Sequence, residues 1–232
     1  MAVGVGVPAL AYRALLSPTG QLCGAFPAGA AVDRPVVALS FDDGPNEPFT
    51  SRIADTLAGY GVPATFFCVG SCVRRHPGVA RRLVRDGHAV GNHSQHHLAR
   101  RYLTQPSFRA ELVAAQRTLT DDTGVTPTLF RPPWLFRHPL LLATVRELGL
   151  HVVSGRFAHP LEPLQPAPAR LVAGAVRVAT PGTFVILHDG REGRGGDRSA
   201  TAAAVGPLVR RLLDAGVEFA RIDDLLGIPR PG

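Results

Sequence analysis

The sequence predicts an α/β fold built on a parallel sheet, either open or closed into a barrel. Short apolar runs of strand length alternate with longer amphipathic stretches from residue 36 to residue 222, the pattern of β–α–β units. Polar and charged residues gather just after those apolar runs, where sheets of this kind build their sites. The 232 residues, 45% hydrophobic and 19% charged, suit one domain with a sizeable core better than two. A Pro- and Gly-rich stretch over 1–33 is expected as an N-terminal extension, ahead of a single domain over 34–228.

The first strand covers 36–41 (VVALSF) and stops in Asp42-Asp43-Gly44-Pro45, the punctuation of a turn. A helix over 50–59 follows, and Gly61-Val62-Pro63 leads into a second strand over 64–69. The next helix, 79–86, sets Val79, Leu83 and Val84 on one side and arginines on the other, and Gly87 is placed to cap it. A brief strand covers 88–92, and a long helix is expected over 107–123. A strand at 129–130 runs into Arg131-Pro132-Pro133-Trp134, before a helix over 140–148 and a strand over 151–154. A proline-rich loop, 160–168, precedes a helix over 169–178. The strand over 183–187 ends at His188-Asp189-Gly190, and 191–198 (REGRGGDR) reads as a mobile loop that could act as a lid over the rim. A helix over 200–215 and a strand over 218–222 complete the alternation.

Basic residues number 25 against 18 acidic ones, a net charge of +7, and every base is arginine. The arginines are scattered and no aromatic stripe accompanies them, which fits biased codon usage better than a nucleic-acid footprint. No nucleic-acid partner is expected. The apolar start, Met1 to Tyr12, is too short to span a bilayer and lacks the basic start of an export signal. Stable membrane insertion is not expected, and the balance favours a cytoplasmic location. Cys23, Cys68 and Cys72 are too few for a disulfide framework and read as small apolar fillers.

Asp42, Asp43, His93, His97, Arg131 and His188 all fall at or just past the ends of predicted strands. His93 and His97 are four apart, so on a helical turn both rings would face one point. With one carboxylate they make a His₂Asp set suited to Zn²⁺ or another divalent transition ion. Adjacent aspartates at a strand end point in different directions, so one can bind metal while the other serves as a general base. Alone, Asp-Asp-Gly-Pro reads better as a turn with Asx capping. His96 reads as a neighbour of the pair, while His76, His138 and His151 read as helix-entry, surface or edge residues. Asp189 is placed either to orient His188 or to cap the following turn.

Four segments taken together resemble the NodB-type polysaccharide deacetylases, carbohydrate esterase family 4. They are Ser40-Phe41-Asp42-Asp43-Gly44-Pro45, His93-Ser94-Gln95-His96-His97 after Gly91-Asn92, Arg131-Pro132-Pro133-Trp134, and Leu187-His188-Asp189. Order and spacing agree with the family from about Val36 to Leu226. The resemblance implies a distorted (β/α) barrel with fewer than eight parallel strands. It implies one divalent metal held by Asp43, His93 and His97, most often Zn²⁺, with Co²⁺, Ni²⁺ or Mn²⁺ as alternatives. Asp42 would be the general base, Arg131 its partner, and His188 the acid that protonates the leaving amine. The Trp134 backbone N–H would steady the oxyanion, and Leu187, Pro133 and Trp134 would contact substrate. His88 resembles a position that supports the second motif from beneath.

The fourth family motif, usually an Asp often followed by Trp, is missing. The chain has Ser154-Gly155-Arg156-Phe157-Ala158-His159-Pro160 and no acid before Glu162. Without a carboxylate partner His188 is expected to have a lowered pKa and a less fixed tautomer, unless Glu162 or His159 substitutes. Trp134 also stands where Tyr or Phe is usual. The implied reaction is removal of an N-acetyl group from an amino sugar or glycan of the chitooligosaccharide or peptidoglycan type. An amide hydrolase acting on a small acylated metabolite is the alternative, and a non-catalytic carbohydrate-binding relative the second.

Overall fold

The computed structural model describes residues 6–230. At its centre lies β1 (Val36–Asp42), every residue of which is buried. A strand covered on both faces needs a continuous apolar run, and VVALSF supplies it. On one side follow β2 (Thr65–Cys68), β3 (Ala89–Asn92), β4 (Leu129–Phe130) and β5 (His151–Val152). On the other lie β7 (Phe184–His188) and then β6 (Arg156–Phe157), all pairs being parallel. These seven strands form the curled half-barrel, and β8 (Glu218–Phe219) pairs with Val36 and Val37 off that path.

Curling follows from the connectivity. β5 and β6 stand at opposite ends of the strand path, yet only residues 153–155 join them. A link of that length reaches roughly 10 Å, so the two ends must come nearly together. The stretch expected as an N-terminal extension fills the seam. The carbonyl of Pro27 accepts the Ser154 N–H at 2.7 Å, that of Ala28 accepts the Phe184 N–H at 3.1 Å, and Gly29 bridges to Thr183. Phe26 is fully buried against Leu135 and Ile186. Arg137, also fully buried, donates to the carbonyls of Ser17 (2.7 Å) and Gly20 (2.8 Å) and lies 4.4 Å over the Phe26 ring.

Helices cover the outside: α1 (Gly6–Leu15), α2 (Phe49–Gly59), α3 (Gly70–Arg75), α4 (Val79–Arg85), α5 (Gln105–Thr123), α6 (Pro139–Glu147), α7 (Pro168–Val178), α8 (Ser199–Asp214) and α9 (Ile222–Leu225). Strand alternation sorts the side chains. Val37, Leu39 and Phe41 pack outward among Leu57, Phe66, Leu171 and Leu208, whereas Ala38 faces inward with Phe67, Leu129, Val153 and Phe184. The sequence hid α3, α9 and β6. The first two are short, and β6 is two exposed residues with no apolar period to read. The last strand ends at Phe219 rather than 222 because Arg221 opens α9. Cys68 and Cys72 are buried free thiols, and burial pushes Cys72 up to about 11. No helix among the described residues is long and apolar enough to cross a membrane.

Candidate active site

The carboxyl ends of the central strands open into a cleft of about 440 Å³ lined by Asp42, Asp43, His93, His97, Trp134, Phe157 and His188, among others. Asp42 ends β1 and His188 ends β7, and the two are register partners on adjacent strands. Asp43, His93 and Arg131 each stand one residue past the end of β1, β3 or β4. Parallel pairing thus brings distant segments to one rim.

Asp43, His93 and His97 offer one ligand atom each within 4.8 Å of one another, and all three are buried. His93 Nδ1 lies 2.7 Å from the Arg131 carbonyl oxygen. Its proton belongs there, which leaves the Nε2 lone pair aimed at Asp43 Oδ1, 3.3 Å away. His97 Nε2 is 3.1 Å from the same oxygen. Asp43 Oδ1 is buried with no donor in hydrogen-bonding geometry, whereas its Oδ2 accepts the Glu192 N–H at 2.8 Å. Burial alone would raise the Asp43 pKa, but His93 and His97 outweigh it and hold the carboxyl well below the usual range. Two imidazoles and a carboxylate converging on an unsatisfied oxygen suit a divalent transition ion with positions left open.

The segment His93–His97 is a turn and not the helical turn expected from its spacing. Ser94 (φ 68°) and His97 (φ 53°) are left-handed. Asn92 Oδ1 accepts the Ser94 N–H at 2.9 Å, and Ser94 Oγ accepts the His97 N–H at 3.0 Å. The N–H groups of Gly70 and Ser71 hold the turn from α3. His96 points away, its Nδ1 bonded to Glu111 at 2.9 Å. His88 sits at the far, amino end of β3, accepting the Ala64 N–H, and so does not lie beneath this turn.

Arg131 is fully buried. Its Nη1 donates to Asp42 Oδ1 at 2.7 Å and to Ser40 Oγ at 2.8 Å, its Nη2 to the Ser154 carbonyl at 2.7 Å. The guanidinium lies 4.1 Å over the Phe67 ring. Asp42 therefore has a fixed cationic partner on the side away from the cleft.

His188 departs from expectation. Its Nδ1 is bonded to Glu162 Oε2, and Glu162 Oε1 accepts the His188 N–H at 2.9 Å. Burial would lower the imidazole pKa, but the Glu162 charge raises it to about 9. The expected loss of basicity does not occur because this carboxylate comes from the 3-10 turn Glu162–Leu164, beyond the missing motif. Asp189 does not orient the ring. Its Oδ2 accepts from Thr50 at 2.6 Å, and burial pushes it up to about 7. That carboxylate lies where a Cβ on Gly44 would be, 1.9 Å away, so residue 44 has room only for glycine.

Two substrate-contact expectations need correction. Leu187 is buried in the helix-side core with Phe41 and Val185, because alternation along β7 sends Ile186 and His188 inward and Leu187 outward. Pro133 is buried in the 3-10 turn Pro133–Leu135, and Pro132, Trp134 and Leu135 line the cleft instead. Trp134 is 40% exposed, stands edge-on to His97 at 4.4 Å, and its Nε1 reaches Glu192 Oε1 at 3.4 Å. The loop over 191–198 thus borders the cleft through Arg191, Glu192 and Arg198. Apart from Gln165, every described non-glycine residue with positive φ belongs to this rim: Asp43, Ser94, His97, Trp134, Leu135 and Glu192. Such conformations cost about 1–3 kcal/mol each and cluster where function demands them.

Fold and rim together place the chain among the hydrolytic (β/α) barrels of the NodB type. Comparison with known proteins narrows this. The family model for polysaccharide deacetylase matches residues 29–153. Over 215 residues the chain is 30% identical to a peptidoglycan-N-acetylglucosamine deacetylase of Bacillus cereus, covering 92% of this chain and 97% of that protein. It is 34% identical to a chitooligosaccharide deacetylase of Bradyrhizobium, covering 72% and 76%. Among solved structures, a family 4 acetyl xylan esterase from Clostridium thermocellum in complex with a cobalt ion superposes with a TM-score of 0.75 at 31% identity, over 84% of this chain and 93% of that one. Some relatives are longer, and the chain spans 39% of a peptidoglycan-N-acetylglucosamine deacetylase of Listeria monocytogenes. The chain belongs to the polysaccharide deacetylase family, carbohydrate esterase family 4, and is a hydrolase of the deacetylase class.

Proposed function

We propose that this protein removes the N-acetyl group from an N-acetylated glycan of the peptidoglycan or chitooligosaccharide type, with a divalent metal held by Asp43, His93 and His97. The observation that carries this reading is the meeting, in one cleft, of that donor set with Asp42 and His188 on neighbouring strands. When bound, the ion would polarise the acetamide carbonyl and make water a better nucleophile near neutral pH.

The residues of the chain divide the remaining work. Asp42, pinned by Arg131 at 2.7 Å, takes the proton from the attacking water. As the C–O bond forms and the C–N bond breaks, His188 hands a proton to the departing amine, which would otherwise be too poor a leaving group. The Trp134 N–H donates to the developing oxyanion. Trp134 and Phe157, 40% and 39% exposed on the cleft walls, offer flat apolar faces for sugar rings.

The test is acetate release by the zinc-loaded protein from N-acetylglucosamine oligomers of graded length and from peptidoglycan strands, with a chelated control. Chelator-sensitive release is the expected result. No release from any glycan, with metal bound stoichiometrically, would sink the glycan reading and turn the search to small acylated metabolites.

A further inference from the structure

The segment after β7 reads from the sequence as a mobile loop, yet it is fastened along its length. The Gly190 N–H donates to the Asp42 carbonyl at 3.2 Å, and the Gly190 carbonyl accepts Arg198 Nε at 2.5 Å. The Gly193 carbonyl accepts the Arg75 guanidinium of α3 and, at 3.4 Å, the Cys72 thiol. Asn46 Nδ2 donates to the Gly196 carbonyl at 2.8 Å. Among these anchors stands Glu192, left-handed at φ 46°.

We propose that Glu192 is a positioning residue that ties a metal ligand to the substrate wall, its main-chain N–H fixing the Asp43 carboxylate and its side chain fixing the Trp134 indole. This rests on the reading of Asp43, His93 and His97 as the metal donors, and adds what selects the oxygen that Asp43 offers.

The main-chain contact makes the two oxygens of Asp43 unlike. Oδ2 accepts the Glu192 N–H at 2.8 Å, whereas Oδ1 is buried and has no donor among the described residues. Oδ1 is also the atom that His93 Nε2 and His97 Nε2 approach, at 3.3 Å and 3.1 Å. With Oδ2 held by a main-chain N–H, the carboxylate is restrained from turning about its Cβ–Cγ bond and faces the histidines through Oδ1 alone. A left-handed residue with a side chain costs about 1–3 kcal/mol and persists only where its surroundings over-determine it. The anchors on Gly190, Gly193 and Gly196 do so. The loop also packs on the metal turn, since a Cβ at Gly193 would stand 3.2 Å from Val69 Cγ1 and 3.5 Å from His97 Cβ.

The side chain reaches the aromatic wall. Oε1 accepts the Trp134 indole N–H at 3.4 Å, and Oε2 pairs with Arg194. The indole is bounded elsewhere by His97, edge-on at 4.4 Å, and by Tyr102 at 6.4 Å. Trp134 is itself left-handed at φ 55°, and it is the residue whose N–H is assigned to the oxyanion. It is also the one tryptophan of the chain, so tryptophan emission reports on this wall alone.

The experiment compares full-length wild type with Glu192→Gly, Glu192→Gln and Glu192→Pro. Glycine keeps the N–H and the left-handed φ but loses the carboxylate. Glutamine keeps an acceptor for the indole. Proline has no N–H and holds φ near about −65°. Zinc affinity, measured by competition with a chelator, is expected to change little in the Gly and Gln variants and to fall about 10-fold or more in the Pro variant. The anisotropy of Trp134 emission in zinc-free protein is expected to fall in the Gly variant and to be retained in the Gln variant. With N-acetylglucosamine oligomers the Gly variant should raise KM more than it lowers kcat. Hydrogen exchange supplies a readout that needs no variant: the Glu192 amide of zinc-free wild type should exchange slowly, as a bonded N–H does. Fast exchange of that amide, or a Pro variant that binds zinc as tightly as wild type, would overturn the grip on Asp43. A Gly variant with the anisotropy of wild type would overturn the grip on Trp134. A wild type that binds no zinc would sink the metal reading instead, while a slow Glu192 amide and a loosened Trp134 in the Gly variant would still support the tie.

Discussion

At the scale of single residues, neighbouring carboxylates are held for different tasks, and substitution should separate them. Asp42→Asn is expected to retain stoichiometric metal and lose turnover by about 100-fold or more, because it removes a base and leaves the donor set of Asp43, His93 and His97 intact. Asp43→Asn and His97→Ala are expected to release the ion, as metal analysis after gel filtration would show. An Asp42→Asn enzyme of full activity would refute the assignment of the base. The pH profile follows from His188. Its pKa is raised to about 9, so the ring holds its proton at neutral pH and loses it as pH climbs through that value. Activity that depends on donating this proton should persist well above pH 7 and fall on the alkaline side near 9. A fall centred near 6.5, the ordinary histidine value, would show that Glu162 does not govern the donor.

At the scale of elements, the turn over 93–97 is the most exacting piece. Ser94→Gly keeps the left-handed φ of 68° available while removing the hydroxyl that accepts the His97 N–H. It is expected to weaken metal binding about 10-fold to 100-fold with little change in fold, measured by competition with a chelator. This turn also shows where a sequence stops being legible. Asp42, Asp43, His93, Arg131 and His188 could be found because each follows an apolar run, yet the spacing of four that suggests a helix is shared by this non-helical turn. Leu187 was misplaced by one step of strand parity, a difference that motif spacing does not register. Glu162 could be named as a candidate but not assigned, since its contact with His188 joins a proline-hooked turn to a strand 26 residues away. No periodicity encodes such a meeting. The two-residue β6 was equally silent.

At the scale of the whole molecule, barrel closure depends on the segment before β1. Phe26→Ala removes a fully buried ring from between Leu135 and Ile186 and should cost about 3–5 kcal/mol, read as a lowered midpoint in denaturant. Deletion of 1–33 removes that ring together with the carbonyls that satisfy Arg137 and Ser154. It is expected to abolish cooperative unfolding or lower Tm far more than Phe26→Ala does. A truncated chain as stable as the full one would show that the seam is dispensable. The broad architecture was readable because strand and helix patterns alternate; this closure was not, because Pro- and Gly-rich sequence carries no period.

The same seam sets an order of events on the ribosome. Phe26 is synthesised 160 residues before its partner Ile186, on the order of 10–30 s at ordinary elongation rates. Throughout that interval the aromatic ring lacks the strand residue that completes its pocket. A nascent chain halted before β7 carries a sticky segment with an incomplete berth, which makes the synthesis of β7 the decisive stage for aggregation or chaperone capture.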